Sequence, residues 1–160
     1  SIDAMAHVAA EIPIPIASGE RLYTIYQFQE LLAKNGSAHI RPDISVAGGI
    51  TNLRKIAAIA EAHYVGMVPH NPCSPVMTAS VVQLDAALHN VAIQEYTGTE
   101  FDSPKRDLVD EPLKLVDGHL LLPDRPGIGI ELNEEAFKHY PMAPFDRKPV
   151  ITSDGALRDY

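Results

Sequence analysis

Helical spacing and short apolar runs alternate along the first 96 residues. Four segments place apolar residues three or four positions apart, which is the spacing of one helix face, and predict helices at 1–11, 24–34, 51–63 and 76–88. Four short apolar runs separate or follow them and predict buried strands at 12–17, 38–41, 64–68 and 91–94. Strands that alternate with helices in this way indicate a parallel sheet with helical crossovers.

The pattern changes after residue 96. Apolar residues flank Asp117 and Gly118, a dipeptide that suits a tight type I′ turn between two antiparallel strands. Local patterns predict a loop at 97–110, a hairpin at 113–122, a short helix at 133–140 and a surface-wrapping tail from Pro141. We therefore divide the chain into a βα part, residues 1–96, and a C-terminal extension, residues 97–160.

Composition and charge narrow the function classes. The net charge of −8 argues against nucleic-acid binding, which requires clustered lysine and arginine. No apolar run approaches the roughly 18 residues of a membrane-spanning helix, so we expect no membrane partner. The single cysteine, Cys73, cannot form an internal disulfide, and this favours the reducing cytoplasm.

An ionisable residue closely follows each of the four predicted strands. These residues are Glu20, Asp43, His70 and Glu95, and they lie about 25 residues apart, the length of one strand-and-helix unit. Parallel strands in a βα barrel all end at the same rim, where barrel enzymes place their active sites. The spacing therefore predicts that the four side chains converge on one site.

Each of these residues also has an ordinary structural explanation. Glu20 suits the positive end of a helix dipole, and Asp43 suits a helix cap or an Asx turn. His70 and Glu95 are compatible with simple surface positions. Cys73 offers a rival nucleophile near His70, although nothing in its surroundings implies a lowered thiol pKa.

The residue types point to a particular chemistry. An aspartate beside a histidine orients the imidazole ring and favours its protonated form. A carboxylate from another strand suits Mg²⁺, and a further carboxylic acid kept protonated by burial can donate a hydrogen bond to an enolate. Together these groups describe proton abstraction beside a substrate carboxylate, with a metal ion taking up the enolate charge.

Several stretches resemble a known family. They read PIASGERLYT, IRPDISVAGGITNLRKIAAIAEAH, MVPHNPCSPVMTASVVQLDAALHNVAIQE and LPDRPGIGIEL. They are similar to the C-terminal half of the enolase superfamily, in the mandelate racemase/muconate lactonizing enzyme group, and most similar to galactonate dehydratase-type sugar-acid dehydratases. The likeness runs from about residue 2 to 129 and implies an α/β fold, the C-terminal half of a (β/α)7β TIM-like barrel that contains strands five to eight.

The resemblance also implies a role for each site residue. Glu20 becomes the last of three carboxylate ligands of Mg²⁺, and Asp43 with His70 becomes the dyad in which His70 moves the proton next to the substrate carboxylate. Glu95 becomes the group that stabilises the enolate, and Arg21, like His70 and Glu95, is expected to contact the substrate. The implied activity is that of a Mg²⁺-dependent aldonate dehydratase, a lyase; a racemase, epimerase, cycloisomerase or noncatalytic fragment is the alternative.

The resemblance further implies parts that these 160 residues do not contain. These are an α+β capping domain, four earlier barrel strands, two more metal ligands and an acid or base on the opposite face of the substrate. We therefore expect the chain to be the C-terminal part of a longer, homo-oligomeric protein, with residues 113–131 packed on the capping domain. Residues 45–49 read SVAGG where these dehydratases commonly have SHAGG, and residues 71–75 read NPCSP where galactonate dehydratases carry CPLGP, which leaves the substrate open.

Overall fold

The computed structural model describes residues 1–142 and 150–158. The helices are α1 Ile2–Glu11, α2 Ile25–Ala33, α3 Gly49–Ala62, α4 Pro75–Asp85 and α5 Ala136–His139. The strands are β1 Ala17–Ser18, β2 His39–Ile40, β3 Gly66–Met67, β4 Leu115–Val116, β5 His119–Leu120, β6 Val150–Ile151 and β7 Leu157–Arg158. Two short 3₁₀ turns, Thr99–Phe101 and Lys105–Leu108, lie within the predicted loop. Part of the predicted surface-wrapping tail, residues 143–149 and 159–160, lies outside the described residues.

The first 96 residues form a parallel sheet with helical crossovers, as predicted. Strands β1, β2 and β3 are neighbours in chain order, and Ile40 of β2 pairs with both Ser18 and Met67. The next neighbour is Val91, which forms a parallel bridge to Met67. Because chain order equals order across the sheet, successive strand ends lie side by side.

The predicted strand at 12–17 is wrong over most of its length. Pairing begins only at Ala17, because Pro13 and Pro15 have no N–H group to contribute to a strand ladder. The predicted strand at 64–68 shortens to β3, since Tyr64 adopts a left-handed conformation with φ 58° and is 99% exposed. The predicted strand at 91–94 is reduced to the bridge at Val91.

Local sequence signals set the helix starts. Thr24 and Gln27 form a reciprocal capping box that begins α2, and the Ser74 side chain caps α4, whose first residue is Pro75. Helix α3 begins two residues earlier than predicted, directly after Gly48, whose φ of 90° reverses the chain direction without a Cβ clash. The crossover helices therefore start immediately beyond the loops that carry the candidate site.

The hydrophobic core lies between the sheet and helices α2, α3 and α4. Its fully buried side chains include Phe28, Leu31, Ile40, Leu53, Ile56, Met67 and Val81. The predicted hairpin is confirmed as β4 and β5, joined through Asp117 and Gly118, which both have positive φ. In the described part of the chain, no helix is long and apolar enough to cross a membrane.

The C-terminal extension contacts the βα part directly. Leu113 is buried in the same core cluster, and Leu120 and Ile130 pack against that cluster. Residues 113–131 were expected to pack on a capping domain. This contact shows that one face of the segment is already committed to the sheet-and-helix core, so only its other face is available for such a domain.

Gly19 precedes Glu20 and has a positive φ, a conformation that favours glycine. We expect its replacement by alanine to destabilise the protein. Its φ is 129°, and an added Cβ would lie 2.8 Å from Cε1 of Phe28, whose side chain is fully buried. We expect Gly19→Ala to lower the free energy of unfolding by about 2 kcal/mol, measured by urea denaturation of the complete protein. Gly98→Ala is the control, because Gly98 also has positive φ but open space around it. Equal losses in the two variants would contradict the clash.

Candidate active site at the strand ends

Asp43 and His70 form a hydrogen-bonded pair at the ends of neighbouring strands. Asp43 follows β2 and His70 follows β3, and a parallel bridge joins their backbones. The His70 amide donates to the Pro42 carbonyl at 3.1 Å, which continues the strand pairing up to the site. Asp43 Oδ2 lies 3.0 Å from His70 Nδ1. The predicted contact between these two residues is therefore present.

The second carboxylate oxygen of Asp43 is held by its own loop. Oδ1 accepts hydrogen bonds from Ser45 N at 2.8 Å, Ser45 Oγ at 2.5 Å and Val46 N at 3.1 Å. Burial acts to raise the pKa of Asp43, but the hydrogen bonds from Ser45, His70 and Val46 outweigh it and leave the pKa lowered. Asp43 thus makes an Asx turn, the structural role that the sequence also suggested for it. Its other carboxylate oxygen, Oδ2, is ionised and faces His70.

Glu95 is anchored to residues that flank this pair. Its Oε2 lies 2.6 Å from Arg41 Nη2 and accepts from the Asn71 amide at 3.1 Å. Burial acts to raise the pKa of Glu95, but the Asn71 N–H and the Arg41 guanidinium outweigh it, so the pKa is lowered. These two contacts favour an ionised Glu95, whereas donating a hydrogen bond to an enolate would need a Glu95 that burial keeps protonated.

Arg41 and Asn71 were not identified from the sequence. Each lies within two residues of a predicted site residue, and this proximity was the one signal available. Arg41 Nε is buried and has no partner among the residues that the structure describes, so the guanidinium retains a free donor. Asn71 is 2% exposed, and its side-chain amide donates to Thr78 Oγ1 at 2.8 Å.

A buried polar network supports the loop that carries His70 and Asn71. The Thr78 hydroxyl contacts both the Asn71 side chain and Oε1 of Glu100, which is 3% exposed. Lys105 Nζ donates to the Pro72 carbonyl at 3.2 Å. Two residues of the C-terminal extension, Glu100 and Lys105, therefore help to fix the loop that carries His70 and Asn71.

Glu20 and Arg21 lie in the turn that follows β1. The Glu20 side chain is half-buried, and its carboxylate makes no hydrogen bond or ion pair with any described residue. Because Ser18 O accepts from Arg41 N at 2.8 Å, this turn lies beside the end of β2. No hydrogen bond joins Glu20 to Asp43, His70 or Glu95 across residues 1–142 and 150–158, and Arg21 is exposed.

Glu20 fits a metal ion as a single ligand. It offers an uncommitted carboxylate, the donor that Mg²⁺ prefers, at the rim where the other strand ends meet. Within the described residues, no three histidine, cysteine, aspartate or glutamate side chains are grouped closely enough to hold a metal by themselves. A complete site therefore requires ligands from another part of the protein.

Cys73 does not have the surroundings of a catalytic nucleophile. Partial burial and the negative charge of Asp43 raise the pKa of its thiol, against a weaker opposing effect of Lys105. A raised pKa lowers the thiolate fraction at neutral pH, and the thiolate is the reactive form. The rival explanation of the site through Cys73 is therefore disfavoured.

Comparisons with known proteins agree with this architecture. Curated relatives include D-galactonate dehydratase of Pectobacterium atrosepticum, 39% identical over 96% of this chain and 42% of its own length. The corresponding enzyme of Xanthomonas campestris pv. campestris (strain B100) is 37% identical with the same coverage. The chain thus spans less than half the length of the curated relatives that it matches.

Solved structures match the fold. An enolase from Agrobacterium radiobacter with Na and L-malate bound superposes with a TM-score of 0.88 at 35% identity, over 98% of this chain and 43% of that one. A mandelate racemase/muconate lactonizing enzyme-like protein from Rubrobacter xylanophilus gives 0.78 at 38% identity, over 87% and 36%. The family model described as enolase C-terminal domain-like matches residues 1–136. The chain therefore belongs to the enolase C-terminal domain-like family and has the TIM-barrel-like α/β fold of its C-terminal barrel half.

Proposed function

We propose that the complete protein containing this chain is a Mg²⁺-dependent sugar-acid dehydratase. The observation that carries the proposal is the ionised Asp43 paired with His70 at neighbouring strand ends. The relatives named D-galactonate dehydratase support the substrate class, a polyhydroxy carboxylic acid. The L-malate bound to the Agrobacterium radiobacter enolase is also a hydroxy acid.

His70 is the proposed proton-transfer group. Its Nδ1 faces the Asp43 carboxylate at 3.0 Å, so Nε2 is the ring nitrogen left to exchange a proton with the carbon next to the substrate carboxylate. The ionised Asp43 stabilises the imidazolium that forms when His70 takes up this proton. The His70 side chain is partly exposed, at 23%.

Glu95 and Arg41 are proposed to contact the substrate as an ion pair. An ionised Glu95 accepts hydrogen bonds, so it suits a substrate hydroxyl, whereas the guanidinium of Arg41 supplies positive charge for a developing negative charge. The enolate stabilisation first expected from Glu95 therefore falls to Arg41 in this arrangement. Arg21 remains a proposed substrate contact from the neighbouring turn.

The metal ion is proposed to bind at Glu20 with ligands from the upstream part of the protein. When bound there, Mg²⁺ would supply positive charge that stabilises the negative charge developing on the substrate carboxylate. Removal of the α-proton and departure of the hydroxyl on the next carbon, together with a proton, release one water. The enol that remains tautomerises to a 2-keto-3-deoxy acid.

The test is a panel of aldonic and aldaric acids incubated with the complete protein. We expect a keto-deoxy acid from at least one of them, loss of that activity with a chelator, and recovery on addition of Mg²⁺. Exchange of the C2 hydrogen with deuterium from solvent, without a keto-deoxy product, would instead indicate a racemase or epimerase built on the same dyad. If no acid in the panel gives a keto-deoxy product or exchanges its C2 hydrogen, that result contradicts the proposal.

A further inference from the structure

A mainly apolar cavity with a few polar side chains is lined by none of the four residues Glu20, Asp43, His70 and Glu95. Its volume is about 350 Å³, and it lies between the end of α4, the segment after the Val91 bridge and the β4–β5 hairpin. The residues that line it include Asp85, Gln94, Tyr96 and His119 among apolar neighbours. None of the residues around it is a lysine or arginine.

The cavity contains hydrogen-bond acceptors that lack donors. Both carboxylate oxygens of Asp85 are buried and have no partner in the described part of the chain, and the same holds for Gln94 Oε1 and for the Tyr96 hydroxyl, which makes no hydrogen bond to either. The Gln94 amide orientation is well determined, because its Nε2 donates to the carbonyls of Pro69 and Glu95 at 3.1 and 2.8 Å. Its oxygen is therefore a true unpaired acceptor.

Buried acceptors without donors cost folding free energy if no hydrogen-bond donor enters the cavity. Burial raises the pKa of Asp85 to about 7, which is the expected response of a carboxylate that has lost water and gained no cation. Among the described residues that line the cavity, the one ionisable nitrogen side chain belongs to His119, whose Nδ1 lies 2.9 Å from the carbonyl oxygen of Asp117. That contact provides Asp85 with neither a hydrogen-bond donor nor a cation.

The cavity borders an open sheet edge. Asn90 and Ala92 use their backbone groups to bond to Met67, at 2.7 and 2.8 Å, so the intervening groups of Val91 and Ile93 point the other way. Those groups make no hydrogen bond to any residue that the structure describes, and the Ile93 side chain is 66% exposed. An additional strand or loop placed on this edge would pass the mouth of the cavity.

We propose that an arginine from a segment that precedes this chain in the complete protein inserts into the cavity and pairs with Asp85. A guanidinium has five N–H donors in a planar fork and can bond a carboxylate with two of them. Asp85 offers both oxygens and Gln94 offers a third acceptor, so the cavity has acceptors for three of the five guanidinium donors. The curated relatives provide the length for such a segment, since this chain covers 42% of them. Asp85 is then an anchor between the two halves of the protein, separate from the catalytic residues.

Replacing Asp85 by asparagine in the complete protein should change the melting temperature in opposite directions, depending on whether an arginine pairs with Asp85. At pH 8 we expect Asp85→Asn to lower the melting temperature by about 5 °C, because removing one member of a buried pair leaves the other uncompensated. Without a partner, the variant would remove an unpaired buried charge, and the melting temperature would stay the same or rise. Either of those results would overturn the proposal. Asp102→Asn, which changes an exposed aspartate with no side-chain partner in the described chain, is the matched control.

A double-mutant cycle identifies the arginine. Each upstream arginine is replaced by alanine in the wild-type and in the Asp85→Asn background, and the melting temperatures are compared. We expect one replacement to lower the melting temperature in the wild type and to have little further effect in Asp85→Asn. If every upstream replacement acts equally in both backgrounds, the arginine assignment is wrong.

Discussion

His70→Asn in the complete protein is expected to reduce sugar-acid turnover by about 10³-fold. Asparagine keeps an N–H that can reach Asp43 Oδ2, which lies 3.0 Å from His70 Nδ1, so the loop retains its anchor. What disappears is the second ring nitrogen, the group that exchanges a proton with the substrate. The measurement is kcat on the best substrate of the acid panel, together with a thermal melt to show that the variant is folded.

His89→Asn is the matched control for this variant. His89 is exposed, and no described residue forms a hydrogen bond with its side chain, so its replacement should leave kcat unchanged. The same pair of variants separates the catalytic proposal from the alternative of a noncatalytic fragment. If His70→Asn and His89→Asn both retain full turnover, His70 has no role in proton transfer.

Much of the site was predictable because it depends on a local repeat. The helix and strand periodicities are set by residues close in sequence, and one βα unit per strand places Asp43 and His70 at adjacent strand ends. The side-chain contact between them follows from that register. It required no knowledge of which distant side chains meet.

The parts that sequence reasoning missed depend on contacts between distant residues. Arg41 reaches Glu95 across 54 positions, and together with the Asn71 N–H it lowers the pKa of Glu95 against the effect of burial. A carboxylate and a guanidinium that meet only in the folded chain leave no spacing signal in the sequence. The predicted strand lengths were wrong for a different reason. Hydrophobicity indicates burial, but it does not show where prolines or a left-handed Tyr64 interrupt the hydrogen bonding between strands.

The open sheet edge and the strand-end site both lack partners within the described residues. Glu20 lacks co-ligands within the described residues, and the outer backbone groups of Val91 and Ile93 lack partners there. The two ends of the parallel sheet, β1 and Val91, are the two places where this is seen. In the proposed complete protein, a segment that pairs with the open edge and carries carboxylates at its strand end would supply both the missing hydrogen-bond partners and further ligands beside Glu20.

Asp43→Asn is expected to reduce kcat by about 10⁴-fold with little change in stability. Oδ1 of Asp43 accepts from three donors, Ser45 N, Ser45 Oγ and Val46 N, so the asparagine oxygen is held in that position. The asparagine NH₂ group then faces His70 Nδ1. Two donors cannot face each other, so Nδ1 must become an acceptor and the ring proton moves to Nε2. His70 then has no free nitrogen with which to take up the substrate proton.

The tautomer change gives this prediction a readout independent of activity. Nitrogen NMR of His70 should show the proton on Nε2 in Asp43→Asn and on Nδ1 in the unmodified neutral ring. Ser45→Ala is the matched control, because it removes one donor to Oδ1 and leaves the Oδ2 contact with His70 intact. We expect that control to lose less than about tenfold in kcat, the worth of one hydrogen bond. If Asp43→Asn loses no more activity than Ser45→Ala, or leaves the proton on Nδ1, Asp43 does not set the protonation of His70.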